Sequence, residues 1–537
     1  MTRIMPTSAP PLPDTFSLPT TGIIDVVESP PQRALEPEPR AEGSVFGTVL
    51  TLGGIQGCAM LFIIARSKAV ALTLGPSGVG AISVIDQIVG LAGQVATFSL
   101  PFAAVKFLSA AHSDGRDAFA RMYAAFLWAL LTLSVVGSGA SMAVLRWWPR
   151  VLGPELAGYG FATTLALLSI PGTTLVGFFT NAIASTRRTR TAGFYGLVNV
   201  AALAVLSTVG VAIGGVQGYY AGGLAVISAL TIGGFIYLSR SEGVAIGRPQ
   251  TGLQQLRRCR GVAGFAASLY VMSFALPAAH LLARYAILRV SGLEAAGLLQ
   301  SAMALGLAFA MVMRQSNALL LTPAMNRNTP PDQKFREAAD YLRTFSLVAG
   351  AVALPLVLFP DMWLYILYSP RFLTAAPYAY LFVLAQVFQL FAGVALGVLV
   401  GLDRIGTQLS VTLTGLAVMA FLSWSLAPTM GIAGIGAAFL AEGVLVLVLS
   451  TWTLWRRSRF AILKNAEWLP VAVLAVLAVT GAVAARYRSV AAEAFGIKLA
   501  TWALLTAGSV AFAWRRGLLD EWLVARRIKV RRREERK

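Results

Sequence analysis

Apolar residues run along this chain in blocks of roughly 20 to 30, parted by short polar or glycine-rich breaks. A helix needs about 20 apolar residues to cross the hydrocarbon core of a bilayer. Fourteen blocks meet that length: 46–74, 78–105, 122–146, 156–185, 192–214, 219–239, 262–291, 295–324, 344–368, 377–401, 407–428, 431–454, 468–486 and 495–514. The pattern therefore predicts an all-α integral membrane protein with fourteen transmembrane helices. The breaks are too short for a sizeable soluble domain. Residues 1–44 differ from the rest: they hold nine prolines, are otherwise polar and lack apolar periodicity, the signature of a disordered tail.

The pattern repeats. Arg66 to Gln87 (RSKAVALTLGPSGVGAISVIDQ) has a partner in Arg284 to Gln300 (RYAILRVSGLEAAGLLQ). Gly75 and Gly80 correspond to Gly292 and Gly297, with the same five-residue gap, and an arginine precedes each first glycine by nine or eight residues. A second region agrees: Arg188, Thr191, Gly215 and Gly218 answer Arg404, Thr407, Gly431 and Gly434, each 216 positions on. Two regions sharing one offset point to an internal duplication. The offset covers six spans, and an even number makes the halves parallel copies about an axis along the membrane normal. The organisation expected is a tail (1–44), a first lobe of spans 1–6 (45–242), a linker (243–261), a second lobe of spans 7–12 (262–456), spans 13–14 (457–514) and a basic tail (515–537).

Composition sharpens this reading. Charged residues are only 13% of 537 and mean hydropathy is +0.70, against about 25% charged in soluble domains. No apolar h-region follows a basic start, so no cleaved signal peptide is expected. With the N-terminus in the cytoplasm, about three quarters of the 44 Lys and Arg fall in the tails and in loops after even-numbered spans. That asymmetry predicts cytoplasmic N- and C-termini, and it explains the net charge of +20 as topology and not as nucleic-acid binding. The tail Arg515–Lys537, with ten basic and four acidic residues, suits anionic lipid headgroups or plain solvent equally. Cys58 and Cys259 give no disulfide or metal spacing, and His112 and His280 are the only histidines, so no metal or other cofactor is expected.

Charges inside a bilayer are costly and mark functional candidates. Arg66, Lys68, Arg284 and Arg314 are the intramembrane cations; Asp86 and Glu442 are the acids. Arg66 lies about 13 Å from the Gly75 turn and Asp86 about 9 Å from Gly80 at 1.5 Å per residue. One reading pairs these two as an ion pair that locks adjacent spans. The other has Arg66 and Arg284 facing each other across a cleft between the halves, where surplus positive charge attracts an anion; the arginine fork suits phosphate. His280 shares a helix face with Arg284, so it joins Asp86 and Glu442 as a candidate for ion coupling. Gln87, Gln300, Gln386 and Asn181 read as polar glue between helices, or as partners for sugar hydroxyls.

Other chemistries fail on the residues. Gly75-Pro-Ser-Gly-Val-Gly80 hints at a phosphate loop, but Ala81 and Ile82 stand where Lys and Ser/Thr are required. No paired-carboxylate or Ser/His/Asp arrangement is present, and no outer loop is large enough to house one, so an enzyme such as a membrane glycosyltransferase is not expected.

The stretch from Arg66 through Leu-Gly-Pro-Ser-Gly-Val-Gly80 to Lys106 and Phe107, with its partner Ala296-Gly297-x-x-Gln300 and Pro323, resembles polysaccharide-lipid flippases. These are the O-antigen and exopolysaccharide repeat-unit translocases of the MOP superfamily, related to MATE exporters and to the lipid II flippase. The resemblance covers about residues 45–460. It implies two six-helix bundles in a V, two extra C-terminal helices, and a cationic cavity for an undecaprenyl-diphosphate-linked oligosaccharide in the bacterial inner membrane. It also implies alternating access driven by an ion gradient or membrane potential, no cofactor, and membrane lipids and a polysaccharide polymerase or export machinery as partners. Arg66 stands where the lipid II flippase relatives carry a cavity arginine; Arg284 follows by internal symmetry, with Lys68 and Arg314 as further substrate-binding candidates. A MATE-like drug/cation antiporter and a lipid II-type flippase are the alternatives. The long Pro-rich tail departs from the family pattern.

Overall fold

The computed structural model describes residues 45–147, 153–186, 188–244, 260–317, 321–325, 329–458 and 469–486, with Ala503. The tails 1–44 and 515–537, most of the linker with Cys259, and the span expected at 495–514 save Ala503 lie outside the described residues. Two units are distinguished, Met1–Thr51 and Leu52–Lys537. Of the first, only the opening turns of a helix are described; everything below concerns the second.

Every regular element described is helical. In chain order they are α1 (Val45–Thr97), α2 (Leu100–Ser113), α3 (Arg116–Trp147), α4 (Gly160–Leu168), α5 (Ile170–Ser185), α6 (Thr189–Glu242) and α7 (Arg260–Ser316). Then come α8 (Thr322–Met325), α9 (Pro331–Leu358), α10 (Pro360–Leu367), α11 (Ala376–Gly401), α12 (Ile405–Met430), α13 (Ile432–Ser458) and α14 (Leu469–Arg486). Among the described residues nine helical stretches are long and apolar enough to cross a membrane. Their outward surfaces are apolar, as with Leu61, Ile213 and Ile232, all more than 60% exposed; such a surface belongs in lipid, not water.

Three of those stretches are folded back by a glycine. Gly75 in α1 (φ 66°, ψ −170°) and Gly292 in α7 (φ 76°, ψ −171°) share one non-helical conformation. Gly215 in α6 (φ 57°, ψ −137°) and Gly431 after α12 (φ 56°, ψ −130°) share another. Positive φ is nearly free for glycine and strained for other residues. The repeat read from spacing thus reappears as matched backbone turns at equivalent positions.

The first pair of turns packs together. A Cβ on Gly80 would overlap the carbonyl of Leu293, and one on Gly297 would overlap the carbonyl of Pro76. Gly80 and Gly297 are repeat mates, as are Pro76 and Leu293, so the contact is reciprocal. Small residues let helix backbones approach in lipid, where packing replaces the hydrophobic drive between helices.

Four spans differ from expectation, each beside a proline. Span 2, expected unbroken over 78–105, stops at Thr97; Phe98 (φ 52°) and Ser99 (φ 57°) are left-handed, and the helix restarts at Leu100 ahead of Pro101. Span 4 (156–185) changes helix at Ser169 before Pro171. Span 8 (295–324) ends its long helix at Ser316, with a separate turn around Pro323. The helix of span 9 (344–368) starts earlier, at Pro331, with Phe335, Ala338, Ala339 and Leu342 buried on one face, and stops at Leu358 before Pro360. Proline removes an N–H and disfavours helix in the preceding residue.

One core lies wholly in the first copy, around Leu108, Phe119, Tyr123, Phe126, Phe178 and Phe179, with Tyr123 and Phe178 ring centres 5.3 Å apart. A larger one runs from Val70 and Ile85 through Ile287 and Leu305 to Leu477, crossing the boundary between the copies.

If the reciprocal glycine contact fixes the register of α1 on α7, Gly80→Ala and Gly297→Ala should each cost about 1–3 kcal/mol. Both should lower the unfolding temperature in detergent. Gly139→Ala, at a position open to space, should leave it unchanged, and equal melting of all three variants would refute the assignment.

Candidate functional site

The Gly75 turn lays the two arms of α1 side by side. Arg66 on the first and Asp86 on the second then reach one cavity of about 500 Å³. Its remaining wall comes from Pro101 of α2, from α4, α5 and the link between them, and from the second arm of α6, including Ser169, Thr173, Thr174, Tyr219 and Tyr220. On the second arm of α1, Asp86, Val89, Gly90, Gly93, Gln94 and Thr97 form the lining, a stripe at three- and four-residue spacing that marks one helix face.

At the charged end, the Arg66 guanidinium carbon sits 5.8 Å from the ring centre of Tyr219, within cation–π range. Tyr219 meets Tyr220 edge-on at 5.0 Å. The Tyr220 hydroxyl donates to Asp86 Oδ1 at 2.8 Å and lies 3.2 Å from the carbonyl of Ile82. Asp86 opens into the cavity while Arg66 is half-buried. No ion pair joins them; the described ion pair is Arg188–Glu242.

The other sequence candidates lie elsewhere. Arg284 is 6% exposed and does not line the cavity. It donates from Nη1 to Gln87 Oε1 at 3.0 Å and from Nη2 to Gln300 Oε1 at 2.6 Å, while its Nε is buried without a partner. Gln87 donates in turn to the carbonyl of Pro277 at 3.0 Å. The expected cleft with Arg66 and Arg284 face to face is therefore corrected. All cavity-lining residues fall between Arg66 and Ile227, and Arg284 ties the second arm of α1 to both arms of α7. Arg66 precedes its glycine by nine residues and Arg284 by eight, so the repeat mate of Arg66 is in effect Ala283, and that position is buried as well.

Lys68 points away from the cavity: its Nζ donates to the carbonyl of Tyr365 at 3.2 Å and lies 5.3 Å from that ring. Arg314 is exposed and donates to Gln386 at 3.4 Å. Gln386 donates to Gln389 at 2.7 Å, and Gln389 to the buried carboxylate of Glu442. His280 packs against Phe439, ring centres 5.2 Å apart. Arg314, Glu442 and His280 thus belong to the second copy, with Gln389 the unforeseen link between acid and cation. Asn181 donates to the carbonyl of Pro101 at 3.1 Å, beside the break in span 2. Among the described residues no three His, Cys, Asp or Glu side chains group as metal ligands.

The residues missed from the sequence are mainly hydroxyls: Thr97, Ser169, Thr173, Thr174 and the Tyr219–Tyr220 pair. For Thr97 a signal existed, the 86/90/93/94/97 stripe. Ser169 and Thr173 sit on another span, and no spacing links them to α1.

No protein-family model matches this sequence, and no curated protein does. Solved structures do share its fold. An inward-facing multidrug resistance MATE family transporter of the MOP superfamily superposes with a TM-score of 0.60 at 14% identity, covering 79% of this chain and 96% of the other. The lipid II flippase MurJ, in an inward closed conformation, gives 0.65 at 10% identity over 87% and 100%. A MOP superfamily transporter from Pyrococcus furiosus gives 0.50 at 12% identity over 80% and 95%. The chain is a multi-pass membrane protein with the fold of MOP-superfamily transporters.

Removing the Arg284 side chain would leave the Gln87 and Gln300 oxygens unpaired in the interior, at about 1–3 kcal/mol. Arg284→Ala should therefore lower the melting temperature clearly more than Arg66→Ala, whose side chain borders a cavity. A larger loss for Arg66→Ala in a thermal melt would overturn these assignments.

Proposed function

We propose that this protein is a flippase that carries a lipid-diphosphate-linked oligosaccharide from the inner to the outer leaflet by alternating access. The observation that carries the reading is the cavity, which presents an arginine fork at one end and uncharged hydroxyl groups at the other, within a MOP-type fold. Phosphate suits Arg66; sugars suit the hydroxyl wall. In this reading the halves are the two six-helix bundles of a fourteen-span protein, the termini are cytoplasmic, and the membrane is the bacterial inner membrane. A polysaccharide polymerase or export machinery receives the product. Arg314 and Lys68 lie off the cavity, so their part is taken as support of the second copy and not as substrate contact. Glu442, Asp86 and His280 remain the groups through which an ion gradient acts.

One observation favours a second reading. Asp86 opens into the same cavity beside two tyrosines, as suits a cation, and a MATE-like antiporter would use it so. A lipid II-type flippase differs from the main proposal only in the sugar carried.

Gly90 and Gly177 face the cavity, and a Cβ on either meets no atom within 4 Å. Gly90→Leu and Gly177→Leu should therefore fill the cavity without harming the fold. In a strain lacking the gene, wild type should restore export of surface glycan, whereas Gly90→Leu and Arg66→Ala, at normal protein level, should restore less than about a tenth. Undiminished export by both variants would sink the flippase reading, and altered drug susceptibility of the null strain with intact glycan would transfer the case to the antiporter.

A further inference from the structure

We infer that the end of the cavity away from Arg66 is a subsite for a donor-rich, uncharged sugar unit, selected because its wall mostly accepts hydrogen bonds. The inference rests on the flippase reading and adds which part of the substrate sits where.

The hydroxyl hydrogens of this wall are already committed. Thr97 donates to the carbonyl of Gly93 at 2.9 Å, and Ser169 to that of Ala166 at 2.6 Å. Thr173 lies 3.1 and 2.9 Å from the carbonyls of Ser169 and Ile170. A hydroxyl whose hydrogen is spent on its own helix still offers lone pairs, so toward the cavity these three groups accept. At the wall, Pro101 has no N–H, and its carbonyl already takes a bond from Asn181. Only the side chains of Thr174 and Gln94 add uncommitted donors there. Away from Arg66 and Tyr219, the wall offers more acceptors than donors.

A ligand that satisfies this wall brings hydrogens, as sugar hydroxyls and the N–H of an acylated amino sugar do. It must also carry an acceptor for Arg66, which shares its end of the cavity with Asp86, 11 residues or about 17 Å along the helix from Thr97. That separation is longer than one sugar ring. It places the phosphate end of the substrate near Arg66 and a sugar beyond the first near Thr97, Ser169 and Thr173. A lipophilic cation fits this subsite poorly, because Arg66 offsets Asp86 and hydroxyl oxygens stand where apolar contact would be needed. A buried acceptor left unpaired is penalised, so the wall discriminates against substrates lacking the sugar.

The test is binding to the full-length protein in nanodiscs, by microscale thermophoresis. Three probes are compared: undecaprenyl diphosphate without sugar, the same lipid carrying a disaccharide of acylated amino sugars, and tetraphenylphosphonium. Wild type should bind the sugar-bearing lipid at least about tenfold tighter than the bare one, the equivalent of one to two net hydrogen bonds. Thr97→Val with Thr173→Val, which keeps the volume and removes two acceptors, should abolish that preference without changing affinity for the bare lipid. Thr97→Ser with Thr173→Ser should keep it. Equal wild-type affinity for the two lipids, or a preference that survives in the valine variant, overturns the subsite while leaving the flippase reading intact. Binding of tetraphenylphosphonium with neither lipid overturns both.

Discussion

The fold depends on one close contact: the backbone of Gly80 against Leu293 and Gly297, answered by Gly297 against Pro76 and Gly80. No side chain intervenes, so the two turns have little freedom to slide. From that fixed point the next turns of helix are in register. Gln87 comes two turns beyond Gly80 and Gln300 one turn beyond Gly297, and these are the two amides that Arg284 bridges. Asp86, beside Gln87, is turned about 100° from it around the helix and into the cavity. Two glycines therefore position both the polar tie between the copies and the charged end of the site.

The copies share turns but not chemistry. In the first, Arg66 and Asp86 border open volume and are held by tyrosines. In the second, Glu442 is buried, and its charge is met through Gln389 and Gln386 by Arg314 at the surface. A duplicated scaffold keeps its backbone constraints, because a lost glycine breaks the packing. Its polar positions are free to diverge: the position that answers Arg66 in the second copy is the buried Ala283, with Arg284, also buried, one residue on.

This also marks what was legible in the sequence. A many-spanning helical chain, the repeat and the turns could be read because they rest on local rules: apolar length for membrane crossing, and glycine's tolerance of positive φ for turns. The helix breaks were signalled by Pro101, Pro171, Pro323 and Pro360, but within uniformly apolar blocks a proline can kink a helix or end it, and composition does not decide which. Arg66 and Asp86 were recognisable as intramembrane charges. Their partners were not, since Tyr219 and Tyr220 lie some 130 residues further on, and no periodicity joins spans that meet only in the fold. Arg284 misled because symmetry was applied to the residue type, whereas in the second copy both Arg284 and the true mate of Arg66, Ala283, are buried.

The state of the Arg66–Asp86 couple bears most directly on function. Two opposite charges in a membrane interior lower their energy by pairing, unless other groups hold them apart. Here Tyr219 covers the guanidinium with its ring and Tyr220 binds the carboxylate through its hydroxyl. Each charge is thus partly compensated by a neutral aromatic, and neither is consumed by the other. A collapsed ion pair would be a structural rivet with nothing left to offer. The separated pair leaves one cationic fork and one anionic acceptor beside the same volume. On the flippase reading proposed above, the cost of keeping the charges apart would fall as a ligand's phosphate reaches Arg66, linking occupancy of the cavity to the energy of this end of the molecule.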